Sequence, residues 1–338
     1  MNKQIIDEIT GIIRIYSDGS IERPLNILSI PVSASQAFVD GVATRDLKIS
    51  PQTGIWARIY LPETSPDMSQ VEKYPILLHF HGGGFCIGSA DWRCLNLFLS
   101  RLVKQCRVMC VSVDYRLAPE HRLPAACEDG MESLDWLHRL ARGDSEDPWL
   151  SAHGDFTRCI LLGESAGGNL VHEVAIRAAT MERLHPLRLR GGIMIHPGFV
   201  REQRSRSEME TPPDIAKLST EAVDKLFSLA LPEGSTKDHP IINPMGPFAP
   251  NLQHLNLPPF LVAMADHDLI RDTQFEYCEA MKIAGKSVEV VISNNVGHCF
   301  HVYDDLVATD ANFSQQAHDL LDAIRTFITT CCQDTSKY

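Results

Sequence analysis

The chain has 338 residues, 44% hydrophobic and 22% charged, with a formal net charge of −12. The hydrophobic share supports a full core and excludes a largely disordered chain. The acidic balance excludes a general nucleic-acid binder, because phosphate affinity needs clustered Lys and Arg, and no apolar run approaches the roughly 20 residues that span a bilayer.

Acidic residues interrupt the N-terminus at Asp7 and Glu8, so it lacks the apolar stretch of a signal peptide. Ten cysteines stand at irregular spacing, which with no export signal predicts reduced thiols and a cytoplasmic location. Alternating apolar positions around Asp18 and Gly19 predict a small hairpin, and residues 41–61 read as early antiparallel strands. Solid apolar runs follow at 75–80, 108–113, 159–162, 192–195, 260–265 and 288–292. Segments long enough for helices separate them, which predicts an α/β fold with a mostly parallel central sheet covered on both faces. Residues 200–250 break this rhythm with Glu, Arg, Ser and Pro and a helical stretch at 220–231. They read either as an insertion covering the edge or top of the sheet together with the N-terminal segment, or as an ordinary surface excursion.

Gly163, Glu164, Ser165, Ala166 and Gly167 form a G-x-S-x-G between the strand at 160–162 and a helical pattern from Asn169. A nucleophilic serine needs such a sharp strand-to-helix turn, with small residues at both ends to avoid clashes. His81 precedes Gly82, Gly83, Gly84 and Phe85 after another strand. Consecutive glycines point backbone N–H groups at one spot, as an oxyanion requires. Gly83, Gly84 and Ala166 are the expected donors, and His81 is expected to brace the loop. Past the strand at 260–265, Asp268 is the expected acid, with Asp266 as a strand-end cap and Asp272 as the cap of a helix from Gln274. Past the strand at 288–292, His298 is the expected base, with His301 as the rival. The order Ser165, Asp268, His298 is that of α/β-hydrolases.

In these residues the chain resembles the hormone-sensitive-lipase-like branch of the α/β-hydrolases, and within it the plant carboxylesterases related to the gibberellin receptor. The resemblance extends to Asp114, Tyr115, Arg116 and the residues up to Pro124, and to Asp18–Pro24 near the N-terminus. It departs at Glu164, where the family often has Asp, at Leu269, where Pro is common, and at Cys299, where Gly is common. The resemblance implies a single α/β-hydrolase domain over 1–338, with a helical cap from about 1–40 and about 200–250. It implies an esterase acting on a small-molecule ester, with no cofactor. A receptor-like binder, or a dehydratase, cyclase or transacylase, is the alternative, and the presence of His298 favours the enzyme.

No metal is expected, since His298 and His301 have no third ligand at a metal spacing. Phe85, His196 and Phe199 are expected near the substrate because ligands gather at the carboxyl ends of strands. Asp238, His239, Asn243 and Pro244 are further candidates. Asp114 to Arg116 reads as a buried polar network, and Arg201 to Arg206 as a solvated face. Oligomeric state is not legible in the sequence.

Overall fold

The computed structural model describes residues 3–24, 28–64, 72–181 and 184–333. Three short strands, β1 (Ile5–Ile9), β2 (Ile13–Tyr16) and β3 (Ile21–Glu22), form a small antiparallel sheet of their own. The expected hairpin is β2–β3, and β1 adds a third strand beside it.

The main sheet holds β4 (Val42–Lys48), β5 (Trp56–Pro62), β6 (Tyr74–Phe80), β7 (Met109–Asp114), β8 (Gly154–Glu164), β9 (Leu189–Ile195), β10 (Phe260–Ala265) and β11 (Val288–Ser293). Their spatial order is β11-β10-β9-β8-β6-β7-β5-β4. Strands β4 and β5 pair antiparallel, β5 runs antiparallel to β7, and the other pairs are parallel. The helices are α1 (Arg93–Cys106), α2 (Ala125–Arg142), α3 (Pro148–His153), α4 (Ala166–Ala179), α5 (Arg206–Glu210), α6 (Pro213–Ala216), α7 (Thr220–Ala230), α8 (Arg271–Ile283), α9 (Asp304–Thr309) and α10 (Ala311–Gln333).

Side chains alternate across a strand, so a strand buried on both faces must be apolar throughout. Ile76, Leu78 and Phe80 of β6 share one core with Leu134 of α2, Val174 of α4 and Tyr277 of α8. Leu77 shares the opposite core with Leu99 of α1 and Ile324 of α10. The same split recurs in β10, with Val262 and Met264 on the first face and Leu261 and Ala263 on the second. All ten cysteines are free. No described helix is long and apolar enough to cross a membrane.

Register decides what meets at the top of the sheet. Phe80 pairs with Gly163, so the glycine loop and Ser165 leave from adjacent strand ends. Ala265 pairs with Ser293, so Asp268 and His298 follow from adjacent ends too. Residues 1–2 and 25–27 of the expected cap lie outside the described residues. Within the rest, Arg23 fastens the N-terminal sheet to the hydrolase body. Its guanidinium donates to the carbonyl oxygens of Cys86 (2.6 Å) and Ala118 (2.9 Å) and forks onto the Glu120 carboxylate. The expected solvated face is laced by pairs, Arg201 with Glu276, Arg204 with Asp224 and Arg206 with Glu210.

Candidate active site

Ser165 sits between β8 and α4 with φ 51° and ψ −121°. That left-handed φ is costly for a residue with a side chain and persists only where surrounding contacts enforce it. Here the Ser165 N–H donates to the Ile195 carbonyl at 2.9 Å, and the Ser165 carbonyl accepts from Gly168 (2.8 Å) and Gly198 (3.0 Å). The glycines around it are steric requirements. A Cβ at Gly163 would lie 2.3 Å from the Gly167 carbonyl oxygen, and one at Gly167 would lie 1.9 Å from that of Phe80.

His298 Nε2 lies 2.9 Å from Ser165 Oγ, and His298 Nδ1 lies 2.8 Å from Asp268 Oδ2. An ionised carboxylate only accepts, so Nδ1 carries the hydrogen and Nε2 is free to receive the serine proton. Asp268 is fully buried and held from two further sides. Its Oδ1 accepts the Ile270 N–H at 3.1 Å, and its Oδ2 accepts from Gln274 Nε2 at 3.1 Å. Burial alone would raise the Asp268 pKa, but the neighbouring His298 draws it below the ordinary value. Burial likewise disfavours imidazolium at His298, yet Asp268, aided by Cys299, holds its pKa well above the ordinary 6.5.

The N–H groups of Gly83, Gly84 and Ala166 have no acceptor among the described residues. Gly83 has φ 112°, and a Cβ there would lie 2.1 Å from the Ile87 carbonyl oxygen, so only glycine fits. The loop is braced from behind. His81 is fully buried and stacks on Tyr115 with ring centroids 4.2 Å apart, while the Tyr115 hydroxyl donates to the His81 carbonyl at 2.7 Å. Asp114 accepts the Ala90 N–H at 2.9 Å, and Arg116 pairs with the buried Asp129 at 2.7 Å. The polar network expected around 114–116 is thus several local anchors.

A cavity of about 220 Å³ opens over Ser165 and His298. Its walls are apolar. Ile12 and Leu28 come from the N-terminal segment, and Leu218, Val223, Leu226 and Phe227 from the 200–250 segment. Three expected substrate contacts are corrected here. Phe85, His196 and Phe199 are buried and do not line this cavity. Phe85, at φ 63°, packs its ring into the core beside Phe227. Phe199 packs against Tyr277 at 4.5 Å. His196 accepts the Cys299 N–H on Nδ1 at 2.8 Å, so it steadies the loop that carries His298. Asp238, His239, Asn243 and Pro244 also stand outside the cavity, and the Asn243 amide donates to Asp238 at 3.0 Å. The rival His301 is buried beside Phe98 and touches neither Ser165 nor Asp268 by hydrogen bond.

Ligand atoms of His196, His298 and Cys299 come within 4.8 Å of one another. The His196 Nδ1 is already taken by the Cys299 N–H, which leaves the hydrogen on Nε2, and both His298 nitrogens are engaged. His196 Nε2 has no hydrogen-bond partner among the described residues, whereas His298 has no nitrogen to spare for an ion while its contacts to Asp268 and Ser165 stand. Sequence reasoning missed the contact of Gln274 with Asp268, whereas Gly198, in the run 195–199 expected near the substrate, does line the cavity. A Cβ at Gly198 would stand 3.3 Å from the Ala166 nitrogen, crowding the approach to that N–H.

Comparison with known proteins agrees with this architecture. A family model described as the alpha/beta hydrolase fold matches residues 77–302. The chain belongs to that family, in its plant carboxylesterase branch. It is 38% identical over 299 residues to the probable carboxylesterase 6 of Arabidopsis thaliana, covering 88% of this chain and 85% of that one. It is 35% identical over 326 residues to the 2-hydroxyisoflavanone dehydratase of Glycyrrhiza echinata, covering 92% and 97%. Among solved structures, a hyperthermophilic esterase from the archaeon Pyrobaculum calidifontis superposes with TM-score 0.68 at 28% identity, covering 86% of each chain.

Proposed function

We propose that this chain is a serine carboxylesterase acting on small carboxylic esters. The observation that carries the reading is the hydrogen-bonded line Asp268–His298–Ser165 beneath three N–H groups that lack acceptors. In the first step His298 takes the Ser165 proton as Oγ attacks the ester carbonyl, and Asp268 stabilises the imidazolium. The Gly83, Gly84 and Ala166 amides hold the oxyanion. His298 then protonates the leaving alkoxide, and water attacks the acyl-enzyme to release the acid. No step calls for a cofactor. Residues 1–40 and 200–250 act as the cap, since Ile12, Leu28, Leu226 and Phe227 wall the cavity. A cytoplasmic location belongs to the same proposal and is checked by imaging a fluorescent fusion.

The test is an acyl-chain series of p-nitrophenyl esters run on the wild type and on Ser165→Ala. Turnover in the wild type that is abolished in the variant supports the reading. Undiminished hydrolysis by Ser165→Ala overturns it. A second reading is favoured by the relative named as a dehydratase, which the chain matches over 97% of that relative's length. A base and an oxyanion hole also suit elimination of water. Product analysis with 2-hydroxyisoflavanone distinguishes the two, since loss of water without ester turnover points to the lyase.

A further inference from the structure

Glu164, between the first glycine and the serine of the elbow, is buried to 2% exposure. Its two carboxylate oxygens do different things. Oε1 accepts the backbone N–H of Gly82 at 2.8 Å, and Oε2 meets His79 Nε2 at 2.8 Å. His79 is fully buried, and its other ring nitrogen meets Ser112 Oγ at 2.9 Å. A line of polar groups thus runs from β7 through β6 to the end of β8, and from there onto the glycine loop. Burial disfavours the ionised form of Glu164, yet His79, His301 and the Gly82 N–H together pull its pKa down to about 2. The carboxylate therefore stays charged, and its bond to Gly82 is charge-assisted, roughly twice as strong as a neutral one.

The consequence lies in where Gly82 stands. It is the residue just before the two expected oxyanion donors, and its own N–H is consumed by Glu164. A Cβ at Gly82 would sit 3.1 Å from the Glu164 carbonyl oxygen and 3.2 Å from Ser165 Cβ, so the loop lies directly on the elbow. The elbow and the loop belong to different strands and have to be held in register for three N–H groups to converge on one oxygen.

We propose that Glu164 is a positioning residue for the oxyanion loop. It clamps the Gly82 N–H so that those of Gly83 and Gly84 face the carbonyl attacked by Ser165. The proposal rests on the esterase reading above. It concerns the transition state rather than ground-state binding, because the oxyanion exists only after attack.

The experiment compares Glu164→Met, which fills the volume without an acceptor, with Glu164→Gln, which keeps a neutral acceptor for Gly82. Both are measured for kcat and KM on one p-nitrophenyl ester. Both are also measured for affinity toward a trifluoromethyl ketone, whose serine adduct carries an oxyanion. Glu164→Met is expected to lose about tenfold to a hundredfold in kcat, as a misplacement of about 1 Å does. Its KM stays within about twofold and its inhibitor affinity falls in parallel with kcat/KM. Glu164→Gln is expected to recover most of the loss, ending about twofold to fivefold below wild type because a neutral acceptor holds less strongly.

Unimpaired kcat and inhibitor affinity in Glu164→Met, or equal damage in both variants, overturns the proposal. If Glu164→Met does not fold, Glu164→Gln decides alone, and inhibitor affinity indistinguishable from wild type overturns it. If Ser165→Ala keeps turnover, the esterase reading fails and this proposal with it. Turnover that depends on Ser165 but not on Glu164 sinks this proposal alone.

Discussion

The backbone N–H of His298 donates to the carbonyl oxygen of Ala216 at 2.7 Å. A segment more than eighty residues upstream, at the end of α6, therefore holds the loop carrying the imidazole against Ser165. The approach is close. A Cβ at Gly297 would lie 2.4 Å from the Ile215 carbonyl oxygen and 2.6 Å from that of Ala216. The atoms in the way are backbone, so they give little.

Gly297→Ala is therefore expected to displace His298 without removing any proposed catalytic group. Steady-state kinetics should show kcat reduced by about tenfold or more, the scale of a displaced base. Wild-type kcat in this variant would show that the loop has slack that this packing denies.

The pH dependence follows from the charge around His298. Its pKa lies well above 6.5 because Asp268 outweighs the burial that disfavours the imidazolium. As general base it must be neutral, so activity appears only as pH rises through that elevated pKa. The acid limb of kcat/KM on a neutral ester is expected above pH 6.5, and a limb at or below that value contradicts the assignment.

Stability should fall in acid as well. His172 is fully buried between Phe199 and Tyr277, and its Nδ1 meets the Tyr277 hydroxyl at 2.9 Å. Burial lowers its pKa from 6.5 to about 3. Above pH 6.5 neither folded nor unfolded chain protonates it, so it contributes no pH dependence. Between about 6.5 and 3 the unfolded chain takes up a proton that the folded chain refuses. Stability is then lost by about 1.4 kcal/mol per pH unit. His301, lowered to about 4 by burial, acts in the same sense. His172→Phe removes one such site and leaves the Tyr277 hydroxyl without its acceptor. Denaturant titrations at pH 6.5 should show the variant less stable than wild type by about 1–2 kcal/mol, and a second set at pH 5 follows the acid limb. The variant's further loss on acidification should be smaller than that of wild type by about 2 kcal/mol.

What could be read locally was read from the chain. Solid apolar runs marked the parallel strands, and the elbow, the glycine loop, Asp268 and His298 each follow a strand end in the expected order. What escaped depends on contacts between distant residues. Strand β1 carries Asp7 and Glu8 on a half-exposed sheet, so no apolar alternation announces it. Asp272 was expected to cap α8, but the helix begins at Arg271, and the carboxylate instead accepts the Ser207 N–H at 2.8 Å. Asp266 accepts the Val296 N–H at 3.4 Å, linking the loops after β10 and β11. Phe85 follows the glycine loop and His196 follows the end of β9, but positive φ values turn their backbones and their side chains pack elsewhere. The work of Glu164 and Gln274 becomes visible only when strands from different parts of the chain lie side by side.

Part of the cavity wall comes from segments of the chain other than those that carry Ser165, Asp268 and His298. Ile12 and Leu28 arrive from the first thirty residues and Leu226 and Phe227 from α7, whereas Ser165, Asp268 and His298 ride on the sheet. Arg23 is the rivet that seats the first wall, through the carbonyls of Cys86 and Ala118 and the carboxylate of Glu120. Substitutions at these four wall residues therefore reshape the cavity without touching the strand ends that hold Ser165, Asp268 and His298.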